Sequence, residues 1–229
     1  GQLQLLTDKS AYINHVIDFI DIKKLKPLKI VINSGNGSAG PVVDLIVDKL
    51  VQAKAPIEVI KLHHQPDGSF PNGIPNPMIL ANRESTQKAV IQHKADSGIA
   101  FDGDFDRCCL FDETGKFVDG SYIVGMLAQA FLNKHPNESI VYDPRVIYNT
   151  EAVINDHNGK AVISKSGHSF IKQVMRDSGA VYGGEMSAHH YFRDFFYCDS
   201  GMIPWLLTIE LLSITGKTLS ELVTGYITA

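Results

Sequence analysis

Three carboxylates stand at alternate positions in Asp102-Gly103-Asp104-Phe105-Asp106, and Arg107 follows directly. Like charges this close repel one another unless a cation lies among them. Alternate residues of an irregular loop can turn several side chains toward one ion, and hard divalent cations take oxygen ligands. Gly103 lets the backbone bend between the first two acids. Asp102, Asp104 and Asp106 are therefore candidate metal ligands, and Arg107 is a candidate anion contact. The plainer alternative is a solvated acidic turn in which Arg107 pairs with a carboxylate.

Two other loops share part of this pattern. An EF-hand would place Asp102, Asp104, Asp106 and Glu113 at its liganding positions, but Arg107 stands where its glycine is required and the preceding GIAF is strand-like. A phosphatase of the haloacid-dehalogenase type uses an Asp-x-Asp pair after a strand. Asp102 and Asp104 fit that pair, but Asp106 and Arg107 stand where a Thr or Val is expected.

A second concentration of polar groups lies in GGEMSAHHYF, residues 183–192. In an extended chain Glu185, Ser187 and His189 point to one side, where carboxylate, hydroxyl and imidazole could bind vicinal sugar hydroxyls. A Ser-His hydrolase would need a G-x-S-x-G elbow, which is missing. His190, next in line, reads as a packed and hydrogen-bonded residue. In SKSGH, His168 stands where a strand ends and a helix begins, a place that favours anions. In YDPRV, Arg145 is another possible phosphate contact. The glycine-rich NSGNGSAG, 33–40, matches neither nucleotide-binding fingerprint and reads equally as a tight strand-to-helix turn. The loop 63–78 holds four prolines and reads as a series of ordered turns.

Alternating strands and helices must position these loops. Apolar runs bounded by turn residues predict strands at 28–33, 57–62, 98–101, 139–143, 161–165 and 179–183. Helical periods predict helices at 11–21, 41–53, 82–94, 121–132, 147–155, 168–177, 201–214 and 219–227, the last announced by Thr218 and Glu221 at capping-box spacing. The segment DSGIAFDGD, 96–104, is echoed by DSGAVYGGE, 177–185. The fold expected is α/β: two similar domains from a duplicated unit, each a mainly parallel sheet with flanking helices. Ligands of such sheets bind beyond the carboxyl ends of the strands, where both echoes place an acid. The turn 111–120 divides the chain into 1–116 and 117–229.

Composition narrows the function. With 229 residues, 44% hydrophobic and 20% charged, the chain can bury a full core. A net charge of −4 gives no basic surface for nucleic acid. No apolar run is long enough for a membrane span, and the opening residues do not read as a signal peptide. Three cysteines, two of them adjacent, form no disulfide framework, and a reducing cytoplasm is the expected location. The chain starts without Met, so a piece of a longer polypeptide is expected.

The stretch GIAFDGDFDRCCLFDETG resembles the metal loop of the α-D-phosphohexomutases, and GGEMSAHHYF resembles their sugar-binding loop in the phosphomannomutase/phosphoglucomutase branch. NSGNGSAG, PDGSFPN and SGH are similar to further landmarks of that family, in the same order. The resemblance implies domains two and three of a four-domain, Mg²⁺-dependent enzyme. It would interconvert mannose 6-phosphate and mannose 1-phosphate through an enzyme phosphoserine, supplying GDP-mannose synthesis. Glucose phosphates are alternative substrates, and an inert binding module is the alternative for this chain alone. The phosphoserine and the main phosphate-binding loop would lie in the first and fourth domains, which complete the active site. By the same resemblance Asp102, Asp104 and Asp106 hold Mg²⁺, and Arg107 holds the transferring phosphate. Glu185 and Ser187 bind sugar hydroxyls, with His189, His168 and Arg145 near the substrate. The family usually has Lys where Arg145 stands.

Overall fold

Strands and helices alternate along the computed structural model, which describes residues 1–5 and 7–226. In the first half, helix α1 (Ser10–Ile17) leads to strand β1 (Leu28–Asn33), helix α2 (Ala39–Gln52), strand β2 (Ile57–Leu62), helix α3 (Glu84–His93) and strands β3 (Ser97–Phe101) and β4 (Cys108–Phe111). In the second, helix α4 (Gly120–Lys134) is followed by β5 (Ser139–Tyr142), α5 (Ile147–Asp156), β6 (Lys160–Ile163), α6 (His168–Ser178), β7 (Tyr182–Gly184), β8 (His190–Phe192), β9 (Cys198–Asp199), α7 (Met202–Thr215) and α8 (Leu219–Gly225).

The duplication is explicit in the sheets. The first has the order β2-β1-β3-β4, and the second has β6-β5-β7-β8 with β9 added at the edge. In each, the first three strands run parallel and the next runs antiparallel. The sequence echo is slipped by two residues against this match. It pairs Asp104 with Glu185, whereas Asp102 and Glu185 are each the first residue after the equivalent strands β3 and β7. A slip of two keeps every side chain on its own face of a strand, so apolar patterning does not detect it.

The antiparallel strands β4, β8 and β9 were not legible as strands, because each is short and lies inside or beside a polar loop. Helix α1 is shorter than the predicted 11–21. Asp21 instead accepts a hydrogen bond from Lys23 N at 3.1 Å and caps a separate 3₁₀ turn at Ile22–Lys24. Helix α8 starts as its capping box requires, with Thr218 Oγ1 accepting from Glu221 N and Glu221 Oε2 accepting from Thr218 N. The end of the predicted helix 219–227, Ile227, lies outside the described residues.

Helix α7 joins the two halves. It is apolar on every side and nearly every residue is buried, as expected of a helix inside a core. It packs against β4 of the first sheet and α4 of the second, within one apolar cluster that draws on both. Its single acid, Glu210, is 2% exposed yet accepts hydrogen bonds from Lys134 Nζ at 2.5 Å and Asp21 N at 2.7 Å. Cys108, Cys109 and Cys198 are free thiols, and burial pushes Cys109 up to about 12. No helix among the described residues is long and apolar enough to cross a membrane.

Candidate functional site

The acidic loop 102–107 connects β3 to β4 and is held from two sides by backbone. Ser38 N and Oγ, at the end of the glycine-rich turn, both donate to Gly103 O at 3.0 Å, and Gly201 N donates to Phe105 O at 3.1 Å. These approaches leave no room for side chains. A Cβ on Gly37 would stand 2.5 Å from Gly103 O, and one on Gly201 would stand 2.5 Å from Phe105 O. The glycine-rich stretch 33–40 therefore positions the acidic loop. The proline-rich loop 63–78 does not join the acidic cluster; its asparagines line a separate cavity of about 250 Å³.

Within the loop, carboxylate oxygens of Asp102, Asp104 and Asp106 fall within 4.8 Å of one another. Arg107 Nε lies 2.7 Å from Asp102 Oδ2, so the arginine does pair with a carboxylate. One guanidinium against three carboxylates leaves a net negative charge. Burial, then the neighbouring Asp102 and Asp104, push Asp106 up to about 7. Its Oδ1 is buried without a hydrogen-bond partner. An oxygen-only cluster with an orphaned carboxylate oxygen and surplus negative charge fits a hard divalent cation.

The second loop, 185–189, connects β7 to β8 and departs from the expected extended form. Ala188 has a φ of +67°, and Glu185 N donates to His189 O at 3.0 Å, closing a tight turn. The turn still gathers the three side chains. Ser187 Oγ is 2.8 Å from His189 Nδ1, and Glu185 Oε2 is 3.7 Å from the same nitrogen. Glu185 is buried at the base of the site, accepting from Gly167 N at 2.7 Å and Tyr191 OH at 2.6 Å. His190 is fully buried with its Nδ1 2.7 Å from Tyr182 OH, and burial depresses it to about 3, as expected of a packed histidine.

The two loops meet. Arg107 and His189 pair as an antiparallel bridge, and His189 Nε2 lies 3.4 Å from Asp106 Oδ2. Burial, then the adjacent His168, hold His189 below the usual histidine range. His168 opens α6 beside this pair, 4.5 Å from His189 between ring centroids. Arg145 sits in the 3₁₀ turn after β5 and is engaged by Asp143, with Nη2 2.6 Å from Oδ2. That hydrogen bond holds its guanidinium above the ordinary arginine range.

Two acids were missed from the sequence. Asp143 is wholly buried and binds both Arg145 and Met186 N, tying the arginine to the second loop. Its place at the end of a strand, in YDPRV, was a usable signal. Asp199 on the edge strand β9 contacts His168 Nδ1 at 3.3 Å and Lys172 Nζ at 2.8 Å. No local motif marks it, because the contact is made only by the folded sheet.

Residues 10–115 match the model of phosphoglucomutase/phosphomannomutase alpha/beta/alpha domain II, and residues 119–228 match that of domain III. A phosphomannomutase of Salmonella montevideo is 59% identical over 223 residues, covering 97% of this chain and 49% of that protein. A phosphoglucomutase/phosphomannomutase family protein from Burkholderia thailandensis superposes with a TM-score of 0.85 at 29% identity, over 96% of this chain and 46% of its own. An Aspergillus fumigatus N-acetylphosphoglucosamine mutase, solved with GlcNAc-6P and magnesium, shares the fold with a TM-score of 0.67 at 13% identity, over 94% and 51%. The chain thus spans about half the length of the curated relatives it matches.

Proposed function

This chain belongs to the phosphoglucomutase/phosphomannomutase family, carrying its domains II and III, and on that premise we propose that the polypeptide it serves is a Mg²⁺-dependent phosphomannomutase. Mannose 6-phosphate and mannose 1-phosphate would be its substrate and product, with glucose phosphates as the competing pair. The observation that carries this reading is the convergence of the acidic and hydroxyl-binding loops at the Arg107–His189 bridge. The identity to a phosphomannomutase supports the substrate class. The two units divide near residue 116, and the product would feed GDP-mannose synthesis in the cytoplasm.

Asp102, Asp104 and Asp106 would hold the ion. When bound, Mg²⁺ would neutralise charge on the phosphoryl oxygens and so favour transfer of the phosphoryl group from the serine oxygen to a sugar hydroxyl. Arg107 uses Nε on Asp102, so its terminal nitrogens are the ones that would meet the phosphate. Glu185 and Ser187 would accept and donate hydrogen bonds to the 3- and 4-hydroxyls of the sugar. Those hydroxyls have the same configuration in mannose and glucose, so the same few contacts would accept either sugar phosphate. His189, held between Ser187 and Asp106, orients that set. Arg145 and His168 would face the second phosphate, and Arg145 is a charge rather than a proton acceptor.

The nucleophilic phosphoserine and the main phosphate-binding loop would come from segments of the polypeptide beyond this chain. The competing reading is a binding module for metal and sugar phosphate that does no chemistry by itself. A phosphorus NMR assay of mannose 6-phosphate conversion, run on this chain and on the full polypeptide, separates the two. Conversion by the full polypeptide alone is expected. Turnover by the isolated chain would overturn the assignment of the phosphoserine to another segment.

A further inference from the structure

Asp106 belongs to two clusters. It joins Asp102 and Asp104 on one side, and on the other its carboxylate falls within 4.8 Å of ring nitrogens of both His168 and His189. The second set has different chemistry. Two imidazoles and a carboxylate suit a borderline-soft transition ion, whereas Mg²⁺ takes oxygen ligands.

Each ring has an oxygen neighbour at one of its two nitrogens. A metal-binding histidine coordinates through one nitrogen while the other is fixed by an oxygen partner. His189 Nδ1 is taken by Ser187 Oγ at 2.8 Å, which leaves Nε2, the atom 3.4 Å from Asp106 Oδ2. His168 Nδ1 lies 3.3 Å from Asp199 Oδ2, so we assign its Nε2 as the ligand atom. Lys172 anchors the other oxygen of Asp199 at 2.8 Å. Neither partner is needed to explain the three-aspartate cluster.

We propose that Asp106, His168 and His189 form a second cation site that takes Zn²⁺. Ligand atoms around tetrahedral zinc stand about 3.3 Å apart. The separation of 3.4 Å between His189 and Asp106 already matches, and the ligand atoms of all three residues lie within 4.8 Å of one another. Three protein ligands leave a fourth position for water or a substrate oxygen. Asp106 is common to both sets, with Oδ2 toward His189 and Oδ1 toward Arg107. The site stands on the geometry of these side chains and not on the reaction proposed above.

The test is calorimetric titration of this chain with Zn²⁺, alongside visible absorption with Co²⁺ as a reporter of imidazole ligation. The variants are His168→Gln, His189→Gln and Asp104→Asn, each checked for folding by thermal melting. Zinc affinity should fall by at least about 10-fold in both histidine variants, since a direct ligand outweighs the outer partners that already contribute that much. It should survive Asp104→Asn within a factor of about 3, with the Co²⁺ bands retained. Zinc binding abolished by Asp104→Asn but untouched by the histidine changes would place the ion on the three aspartates and overturn the proposal. Binding unaffected by all three changes would overturn it equally. If His189→Gln fails to fold, His168→Gln decides the question alone, since its side chain is 44% exposed.

Discussion

The backbone of Arg107, on the acidic loop of the first domain, pairs with that of His189, on the second domain's loop. Cys108 N donates to Ala188 O at 3.3 Å beside it. The two loops are therefore tied through backbone, and a residue that holds one of them should be felt at the other.

Gly201 is the sharpest case of such a residue. A Cβ there meets Phe105 O at 2.5 Å and Arg107 O at 3.0 Å, both backbone atoms that cannot swing aside. Gly201→Ala should cost about 1–3 kcal/mol, as overpacking does. It should also weaken Mg²⁺ binding although no ligand has changed. Denaturant unfolding and Mg²⁺ calorimetry on the same protein check both. Unchanged stability and affinity would show that the loop yields freely.

The raised Asp106 makes metal binding depend on pH. A carboxyl pushed up to about 7 is protonated in the empty site at pH 6, so a proton competes with the ion. Apparent Mg²⁺ affinity should rise with pH through about 7 and then level off, with up to one proton released per ion below that point. In the absence of metal the sign for stability is opposite. The folded pKa exceeds the unfolded one, so this group's contribution is present below about pH 4 and lost as pH rises through about 7. Calorimetry in buffers of different ionisation heat measures the released proton. Affinity independent of pH would show that Asp106 is not held protonated near neutral pH.

His190 has the reverse sign. Burial depresses it to about 3, below its unfolded value, so its stabilising contribution is complete above about pH 6.5 and lost as pH falls through about 3. Wild type should be more stable than His190→Gln at neutral pH, with the gap narrowing by up to about 1.4 kcal/mol per pH unit on acidification. Urea titrations from pH 7 to pH 4 read the gap directly. A constant gap would mean that the histidine is not held neutral.

Glu185→Gln tests the hydroxyl-binding role. Both carboxylate oxygens already accept protein hydrogen bonds, from Gly167 N and Tyr191 OH. A Gln can keep both, because a tyrosine hydroxyl can also accept. The fold should therefore survive at a cost of about 1.5–3 kcal/mol for the lost charge-assisted bonds. In the full polypeptide, binding of mannose and glucose phosphates should weaken together. Weakening of one sugar alone would contradict the shared-hydroxyl assignment.

What was legible in the sequence was local. The acid spacing of 102–106, the Glu185-x-Ser187-x-His189 triplet and the capping box at Thr218 are written in consecutive residues. Their positions at strand ends followed from the apolar pattern. The tight turn at Ala188 was not legible, because a non-glycine residue at positive φ carries no mark in one sequence. Nor was Asp199, whose meeting with His168 depends on strand β9 adding to the sheet edge. The work of the glycine-rich turn was ambiguous for the same reason. Only the fold shows that Gly37 makes room for Gly103 rather than for a ligand.

The most direct test of the central claim is mannose 6-phosphate conversion by the full polypeptide, wild type against Asp104→Asn, across a Mg²⁺ titration. Asp104 is exposed on the loop, so the variant should fold as wild type. Turnover should require Mg²⁺ in the wild type, and the variant should lose at least about 10-fold at any Mg²⁺ concentration that saturates the wild type. Wild-type turnover in Asp104→Asn, or full activity with Mg²⁺ chelated, would contradict the assignment of the three aspartates as the metal site of a phosphomannomutase.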